Sequence, residues 1–423
     1  MYSQREKNRA ALREVDSVFD VQNWLDLFDA SITFDSSLVE LSCAEGEALL
    51  AAAKSRKQAL HCLEDGEMPC DASCSSNSET LFNEGGVVEY LGYFEAMGGE
   101  LEDSDFQEQR AIDQALITSS KREMVAEQFV RALPSIDIIE TLKTLAKKID
   151  SAMQGLRDLQ REQAGRDNAG FFVRLSSRSP KDAAGLSEVT FLEAAIKQRP
   201  NQKTLDGRFG LFCDLFLQGM RIETGLDAVH LLLASKRVTD DIEQGLQAED
   251  QYGVPYDLSV VVRSWDDGVR DDAEFRAFVN KDGRVVAISQ YNEHFYQPEL
   301  YENQAAITDQ LLEFVEERLR PKLTGTRFLP CVLDLVILQE GGLHQPFNPC
   351  GEVRVVELNP ANERTSAALF DKSEVLTWVT TEGSLQEFRL SCMLKSQDSR
   401  FLQDRINEAH GRWKAFQLFK DAL

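Results

Sequence analysis

Short runs of apolar and β-branched residues, separated by turn residues, fill the chain from about residue 168 to residue 360. Their lengths and their content of Val, Ile and Phe are typical of β-strands. The runs span residues 170–175, 258–263, 275–279, 285–289, 331–338 and 353–359. We therefore expect a sheet-rich region in this part of the chain.

The segments between these runs predict two hairpins. Asp282-Gly283 is a strong hairpin turn dipeptide and lies between the third and fourth runs. A longer polar loop with Gly341-Gly342 joins the last two runs. Helical patterns are expected at residues 226–235, 305–320 and 384–420. Strands that pair as hairpins, with helices between them, predict an α+β fold class rather than a doubly wound parallel sheet.

A regular apolar stripe marks the segment before these strands. Its members recur at alternating spacings of three and four, and they are Leu142, Leu145, Ile149, Ala152, Leu156 and Leu159. Such spacing is typical of a helix with one buried face. Pro134 divides the segment 105–167 into two helices, which predicts a helical hairpin. The hairpin could be a coiled-coil interaction arm, or it could pack on the body of its own domain.

Charge and composition narrow the class of partner. The formal net charge is −25, which disfavours nucleic acid and suits either solubility or a basic protein partner. The stretch between Lys57 and Arg110 has no Lys or Arg, and residues 62–79 are predicted to be a polar loop. No run of about 18 apolar residues predicts a membrane span. The polar N-terminal residues predict no signal peptide, so we expect a soluble intracellular protein.

The eight cysteines are too sparse for a disulfide framework in a chain of this length. One cluster combines His61 with Cys62, Cys70 and Cys74. A zinc site would need paired C-x2-C or similar spacing, which this cluster lacks. Free thiols in a loop are the expectation.

Three oxygen-bearing side chains interrupt or end the last two predicted strands. Glu357 and Asn359 stand at positions i and i+2 of one strand, so both point to the same face. Asp334 lies inside the neighbouring apolar strand, and a hairpin would bring all three together. Carboxylate and amide oxygens are ligands that suit Mg²⁺. Alternatively, Asp334 accepts backbone N–H bonds or pairs with an arginine.

Two basic sites accompany these oxygens. Arg174 and Lys181 stand in a segment with Ser hydroxyls, and this combination suits either phosphate oxygens or a solvated loop. Glu274 and Arg276 share one strand face, and a surface ion pair is the simpler interpretation of that spacing. Neither a G-x-G-x-x-G nor a G-x-x-x-x-G-K-[ST] motif follows a strand, so the common Rossmann and P-loop sites are not supported.

These sites occur in one order with several further motifs, and together they resemble the cell division cycle protein 123 family. The matching segments are R-L-S-S-R-S-P-K-D-A at 174–183, V-V-R-S-W at 261–265, E-F-R-A-F-V at 274–279, A-I-S-Q at 287–290, L-D-L-V at 333–336 and V-E-L-N-P-A at 356–361. Each motif is short, but their number and order make the resemblance specific. It covers residues 17–55 and 170–378.

The resemblance implies an ATP-grasp fold, in which two α+β lobes sandwich ATP. It divides the chain into a nucleotide-binding domain, residues 17–55 with 168–423, and an insertion at 56–167 with an acidic loop and the helical hairpin. It implies that Asp334, Glu357 and Asn359 hold Mg²⁺. The residues that would contact ATP are Arg174, Lys181, Val261, Val262, Arg263, Trp265, Glu274, Arg276 and Asp334, the backbone of 261–263 reading the adenine edge.

Four positions depart from the family pattern. Arg174 stands where the family has a phosphate-contacting lysine, and Ser177 stands where it has a tryptophan. Ser264 replaces a second lysine. Glu357 replaces the metal-binding aspartate and is one methylene longer. Arg174 keeps the positive charge of that lysine, but its geometry differs.

Two functions of different classes are consistent with this resemblance. The family's role is that of a cytoplasmic assembly factor, which binds the gamma subunit of eukaryotic translation initiation factor 2 and promotes assembly of its trimer. The alternative is an ATP-grasp ligase that joins a carboxylate to an amine through an acyl phosphate. In that reaction Arg276 would be the catalytic residue that steadies the acyl phosphate.

Overall fold

The computed structural model describes most of the residues that carry the predicted sites. The described residues are 19–29, 31–64, 129, 132–135, 137–164, 170–185, 205–294, 296–340, 347–383, 385–391 and 399–419. The expected loop at 65–79, the first helix of the predicted hairpin and the glycine pair at 341–342 lie outside these residues.

The described elements alternate between strands and helices. The strands are β1 (Ser36–Glu40), β2 (Phe171–Leu175), β3 (Ser259–Ser264), β4 (Glu274–Val279), β5 (Val285–Gln290), β6 (Cys331–Ile337), β7 (Val353–Pro360) and β8 (Glu387–Arg389). The helices are α1 (Val21–Trp24), α2 (Cys43–Glu64), α3 (Asp137–Ala164), α4 (Leu205–Gln218), α5 (Gly225–Ala234), α6 (Lys236–Tyr252), α7 (Pro298–Glu302), α8 (Gln304–Phe314), α9 (Arg320–Leu323), α10 (Lys372–Thr380) and α11 (Ser399–Phe419). A π-helical turn at Val315–Leu319 joins α8 to α9.

Within the described residues the strands form two sheets. The first has the order β1-β3-β2, and both pairs are antiparallel. The second has the order β7-β6-β4-β5-β8, in which β8 pairs parallel with β5 and the other pairs are antiparallel. Hairpins and helices around mixed sheets confirm the predicted α+β class.

Each sheet has its own apolar core. Val260 and Val262 of β3 pack with α2, α3 and α5 on one side of the first sheet. Alternate residues of β4 and β6, such as Phe275 and Leu333, pack with α8 on one side of the second sheet. The opposite face of the second sheet carries the polar side chains described below. On that face Phe278 and Val332 pack with α10, and the polar side chains occupy the neighbouring positions of β4 and β6.

Local sequence fixes several helix ends. Thr224 and Asp227 form a reciprocal capping box at the start of α5. Ser235 accepts a hydrogen bond from the Val238 N–H and starts α6, which ends at Gly253 with φ of 67°. These caps place α5 and α6 against the first sheet.

The predicted strands and both hairpins are confirmed. The Asp282-Gly283 turn closes with a hydrogen bond from the Asn280 N–H to the Arg284 carbonyl, and Gly283 has a φ of 77°. The helix expected over 384–420 is wrong in its first part, because strand β8 occupies 387–389 and α11 begins at Ser399. β8 has three residues and is stabilised by pairing with distant β5, so local pattern does not reveal it.

The apolar stripe of α3 packs on the protein's own body. Leu142, Leu145 and Ile149 are fully buried with helix α2 and sheet residues, whereas Leu159 at the end of the stripe is exposed. The packed alternative therefore holds for this helix, and the coiled-coil arm does not. The predicted loop from residue 62 begins too early, since α2 continues to Glu64.

The predicted division into a nucleotide-binding domain and an insertion has one boundary at 55/56. This boundary falls inside α2, and α2 shares its core with α3 and with β3. Helix α3 therefore packs in the same apolar core as the first sheet. In the described part of the chain, we find no helix that is both long and apolar enough to cross a membrane.

The two ends of the α3 stripe offer a matched test of this packing. We expect Ile149→Ala to lower the free energy of unfolding by about 2–5 kcal/mol, because it opens a cavity in a full core. Leu159→Ala, in the same stripe but exposed, should change it by about 0.5 kcal/mol or less. Urea denaturation of both variants measures the difference. Similar losses at the two positions would contradict the packed arrangement.

Candidate functional site

A row of polar side chains crosses the second sheet from strand to strand. Arg276 of β4 is the cross-strand partner of Asp334 on β6 and of Ser289 on β5. Asp334 is in turn opposite Glu357 of β7. Directly opposite residues on neighbouring strands lie on one face, so the row runs Glu357, Asp334, Arg276, Ser289. The predicted convergence of the oxygen groups through a β6–β7 hairpin is confirmed.

A β-bulge in β7 decides which side chains join this row. The register pairs Asp334 with Glu357 and then Leu335 with Val355, so Val356 is the extra residue. Val355 before the bulge and Leu358 after it are both buried in the core. The phase change at the bulge therefore leaves Glu357 on the polar face.

Asp334 is held from two sides. Its two carboxylate oxygens accept hydrogen bonds from Arg276 Nε at 2.8 Å and Nη2 at 3.0 Å. Asn359 Nδ2 donates to the second oxygen at 3.0 Å. The side chain is 1% exposed, so the pairing with an arginine that was left open from sequence is observed. An ionised carboxylate has about four acceptor positions, so three hydrogen bonds leave room for one further ligand.

Glu357 faces the first sheet rather than its own. Arg174 Nη2 of β2 donates to Glu357 Oε1 at 2.5 Å. Burial alone would raise the pKa of Glu357, but the charge and hydrogen bond of Arg174, aided by Lys181 and Arg276, lower it to about 2. Arg174 also donates from Nε to the Leu175 carbonyl at 2.9 Å. The bond between Arg174 and Glu357 joins the two sheets at the site.

Tyr291 connects two of the cations and was missed from sequence. Lys181 Nζ donates to the Tyr291 hydroxyl at 2.6 Å. The Tyr291 ring also lies 4.4 Å from Lys181 Nζ and 5.0 Å from the Arg276 guanidinium carbon, both within cation–π range. Tyr291 directly follows the A-I-S-Q motif, and that adjacency is the one sequence feature that points to it.

Glu274 and Arg276 do not form the surface ion pair expected from their spacing. Arg276 is buried, and its three nitrogens bond Asp334 and the Ser366 carbonyl. Burial raises the pKa of Glu274 to about 8, with Lys181 opposing the rise and Asp334 and Asp271 adding to it. The i, i+2 spacing correctly predicted that Glu274 and Arg276 share one face of β4. The ion-pair partner of Arg276, however, is Asp334 on the neighbouring strand β6.

A cleft of about 1200 Å³, including open solvent, borders this row. Phe172 of β2 and Val356 of β7 line it, together with aromatic residues of α4 such as Phe212. Lys181 and Glu274 line its polar part. Ligand cavities have this apolar lining with few polar groups.

The segment that links the two sheets passes along the cleft. Ser264, Trp265 and Asp266, which follow β3, are among the lining residues. Val261 and Val262 lie in the central part of β3, where they pair with β1 on one side and β2 on the other. Their backbone groups serve the sheet, and the Ser264 and Trp265 N–H groups donate to the Asp35 and Gly170 carbonyls, so contact with a base at 261–263 stays a prediction.

The residues present suit a hydrated divalent cation by their chemistry. Asp334 and Glu357 offer carboxylate oxygens and Asn359 offers an amide oxygen, which are hard ligands of the kind Mg²⁺ takes. Within the described residues there is no group of three or more His, Cys, Asp or Glu side chains that could hold a metal ion. A cation at this place would therefore need the amide and outside oxygens to complete its shell.

The buried pair of Arg276 and Asp334 predicts a large effect of removing one partner. We expect Arg276→Met to lower the free energy of unfolding by about 3–5 kcal/mol, because it leaves a buried charge unpaired. The double variant Arg276→Met/Asp334→Leu should lose much less. Urea denaturation of both variants measures this. A loss under about 1 kcal/mol in the single variant would contradict the buried ion pair.

Comparisons with known proteins bear on the family of the chain. A family model described as D123 matches residues 215–410. A structure of Cdc123 from Schizosaccharomyces pombe aligns with 16% identity and a TM-score of 0.43, covering 91% of this chain and 98% of that chain. A C-terminally truncated form of the same protein aligns with 16% identity, a TM-score of 0.44 and the same coverage. No curated protein matches the chain.

The matched region contains Arg263, Glu274 and Arg276 as well as the three oxygen-bearing side chains of β6 and β7. Arg174 and Lys181 precede it. Over residues 215–410 the chain is similar to the D123 family, in agreement with the resemblance that its motifs predict.

Proposed function

We propose that the chain binds Mg-ATP between its two sheets in the manner of an ATP-grasp protein, and that it acts in the cytoplasm as an assembly factor for translation initiation factor 2. The observation that carries the proposal is the charged row of the second sheet, faced by Arg174 and Lys181 beside the cleft. Cations and carboxylates alternate there within hydrogen-bond distance.

The cations suit the phosphates of a nucleotide. Arg174 is 2% exposed, and its planar fork matches phosphate oxygens. Burial would lower the pKa of Lys181, but its interactions with Tyr291, Glu274 and Glu357 outweigh burial and raise that pKa, so Lys181 stays protonated. Both groups now contact protein acceptors, so phosphate oxygens would replace or share those contacts.

The oxygen set suits the metal that accompanies ATP. Asp334, Glu357 and Asn359 would hold the ion, which supplies neutralisation of phosphate charge when bound. Glu357 is the most accessible acid of this set, with a side chain 21% exposed. In the bound state its carboxylate would exchange Arg174 for the ion.

The cleft suits the base. Phe172 and Val356 come from the two facing sheets, so a planar ring between them would be covered on both sides. Ser264, Trp265 and Asp266 also line this space and supply its polar groups. Apolar walls with polar groups at one edge are typical of base recognition.

The assembly role rests on the D123 family match and the ordered motifs rather than on a visible partner surface. Both support a role in assembly of initiation factor 2, with its gamma subunit as the contact. The net charge of −25 suits a basic partner surface.

The metal assignment predicts a selective loss in one variant. We expect Glu357→Gln to weaken Mg-ATP binding at least about tenfold, equal to about 1.4 kcal/mol, while ATP binding in EDTA is kept. Glu352→Gln, which changes an exposed acid just before β7, is the matched control and should bind normally. Isothermal titration of both variants measures this. Wild-type Mg-ATP affinity in Glu357→Gln would show that the ligand assignment is wrong.

The partner assignment predicts nucleotide-sensitive binding. Purified gamma subunit of initiation factor 2 should bind this chain saturably, and Mg-ATP should change the affinity because it orders the two sheets around the cleft. Glu357→Gln should lose the nucleotide effect. A pull-down with and without Mg-ATP measures it. No binding by a chain that still binds ATP would overturn the assembly role and leave the nucleotide site standing.

A further inference from the structure

One arginine side chain ties the first sheet to the bulge of the second. Arg263 near the end of β3 donates from Nη1 to the carbonyl oxygen of Val356 at 2.6 Å. Val356 is the extra residue of the β7 bulge, one position before Glu357. The contact therefore acts on the backbone that orients a proposed metal ligand.

The bulge is held on its outer side by a second segment. The Val355 N–H donates to the Ile32 carbonyl at 2.7 Å, and the Thr33 hydroxyl donates to the Val355 carbonyl at 2.9 Å. Arg263 satisfies the next carbonyl, which the register of β6 skips. These bonds together fix the strand on both sides of its phase change.

The other two nitrogen atoms of the Arg263 guanidinium group are buried and lack hydrogen-bond acceptors in the described part of the chain. Arg263 is 4% exposed and lines the cleft. Its Nε and Nη2 atoms have no hydrogen-bond partner among the described residues, and the same holds for the adjacent Ser264 hydroxyl. Unsatisfied buried donors cost free energy. Burial and the nearby charge of Arg174 lower the pKa of Arg263 to about 9, so the present surroundings disfavour its charge.

We propose that Arg263 is a positioning residue that links occupancy of the cleft to the placement of Glu357. One side of its guanidinium fixes the Val356 carbonyl, and the other side receives acceptor oxygens of the nucleotide. The inference rests on the proposed nucleotide site and adds a role for this side chain. Filling the cleft would complete the hydrogen bonds of Arg263 and thereby tighten the bulge.

The two tasks require an arginine. Its planar fork presents donors in different directions from one rigid group, so one edge can bond the backbone while another meets a ligand. A lysine has a single nitrogen on a flexible stem. Arg263→Lys can keep the bond to Val356 or contact the ligand, but it does not do both with the same geometry.

The first test needs no ligand. We expect Arg263→Met to speed hydrogen exchange of the amides at 355–359 at least tenfold, with other strands unchanged. Arg389→Met, which removes an exposed pair on β8, is the control and should leave 355–359 as in the wild type. Mass spectrometry of the ligand-free proteins measures this. Unchanged exchange at 355–359 in Arg263→Met would overturn the positioning role.

The second test separates positioning from general damage. ATP affinity is titrated with Mg²⁺ and with EDTA, and the ratio gives the enhancement by the metal. Arg263→Met should reduce this ratio at least tenfold, because Glu357 is no longer held. It should also weaken ATP binding in EDTA, because the ligand contact is lost. Equal losses under both conditions would mean a structural role alone and would overturn the linkage.

Arg263→Lys keeps the proposal testable if the methionine variant fails to fold. It should retain the hydrogen exchange of the wild type at 355–359 and still weaken ATP binding in EDTA. Wild-type ATP affinity together with wild-type exchange at 355–359 in this variant would overturn the ligand contact. Absence of ATP binding by the wild type would instead overturn the proposed function, and the exchange measurement would still decide whether Arg263 holds the bulge.

Discussion

The site depends on the neutralisation of a carboxylate that is buried within a sheet. Asp334 has hydrophobic neighbours along its own strand, so its partners must come from the strands beside it. Arg276 supplies the charge and Asn359 a further donor. Replacing a buried ion pair with apolar side chains is often neutral or stabilising, so such a pair is poor evidence for a stability role. Because this ion pair lies beside a cleft, we infer that it is retained for ligand binding rather than for stability.

The same requirement accounts for the approach of the two sheets. Glu357 lies on the polar face of the second sheet, but Arg276 of that sheet is already paired with Asp334. Arg174 of the first sheet completes the charge balance across the gap. Val261 of the first sheet packs in the core of the second, but the contacts of Arg174 and Arg263 with β7 are polar. A ligand can exchange such polar contacts more readily than apolar packing.

The sequence was informative where the interaction is local and weak where it is distant. The strands and the shared face of Glu357 and Asn359 follow from alternation along one strand, and the helix of the α3 stripe follows from its spacing. Tyr291 and the contact of Arg174 with Glu357 join positions far apart in the chain, so no local pattern reveals them. The partner of Arg276 was missed for the same reason, because spacing within a strand does not identify the neighbouring strand.

The bulge at Val356 has a consequence for how this strand can change in length. Side chains alternate with a period of two, so the number of residues in β7 has a parity that determines which ones face the cleft. At its present length, a β7 without the bulge would turn Glu357 and Asn359 into the core and Leu358 outward. A single-residue insertion or deletion in β7 therefore keeps Glu357 and Asn359 on the cleft face only when a bulge is gained or lost with it. The length of β7 and its set of cleft-facing side chains can thus change only together.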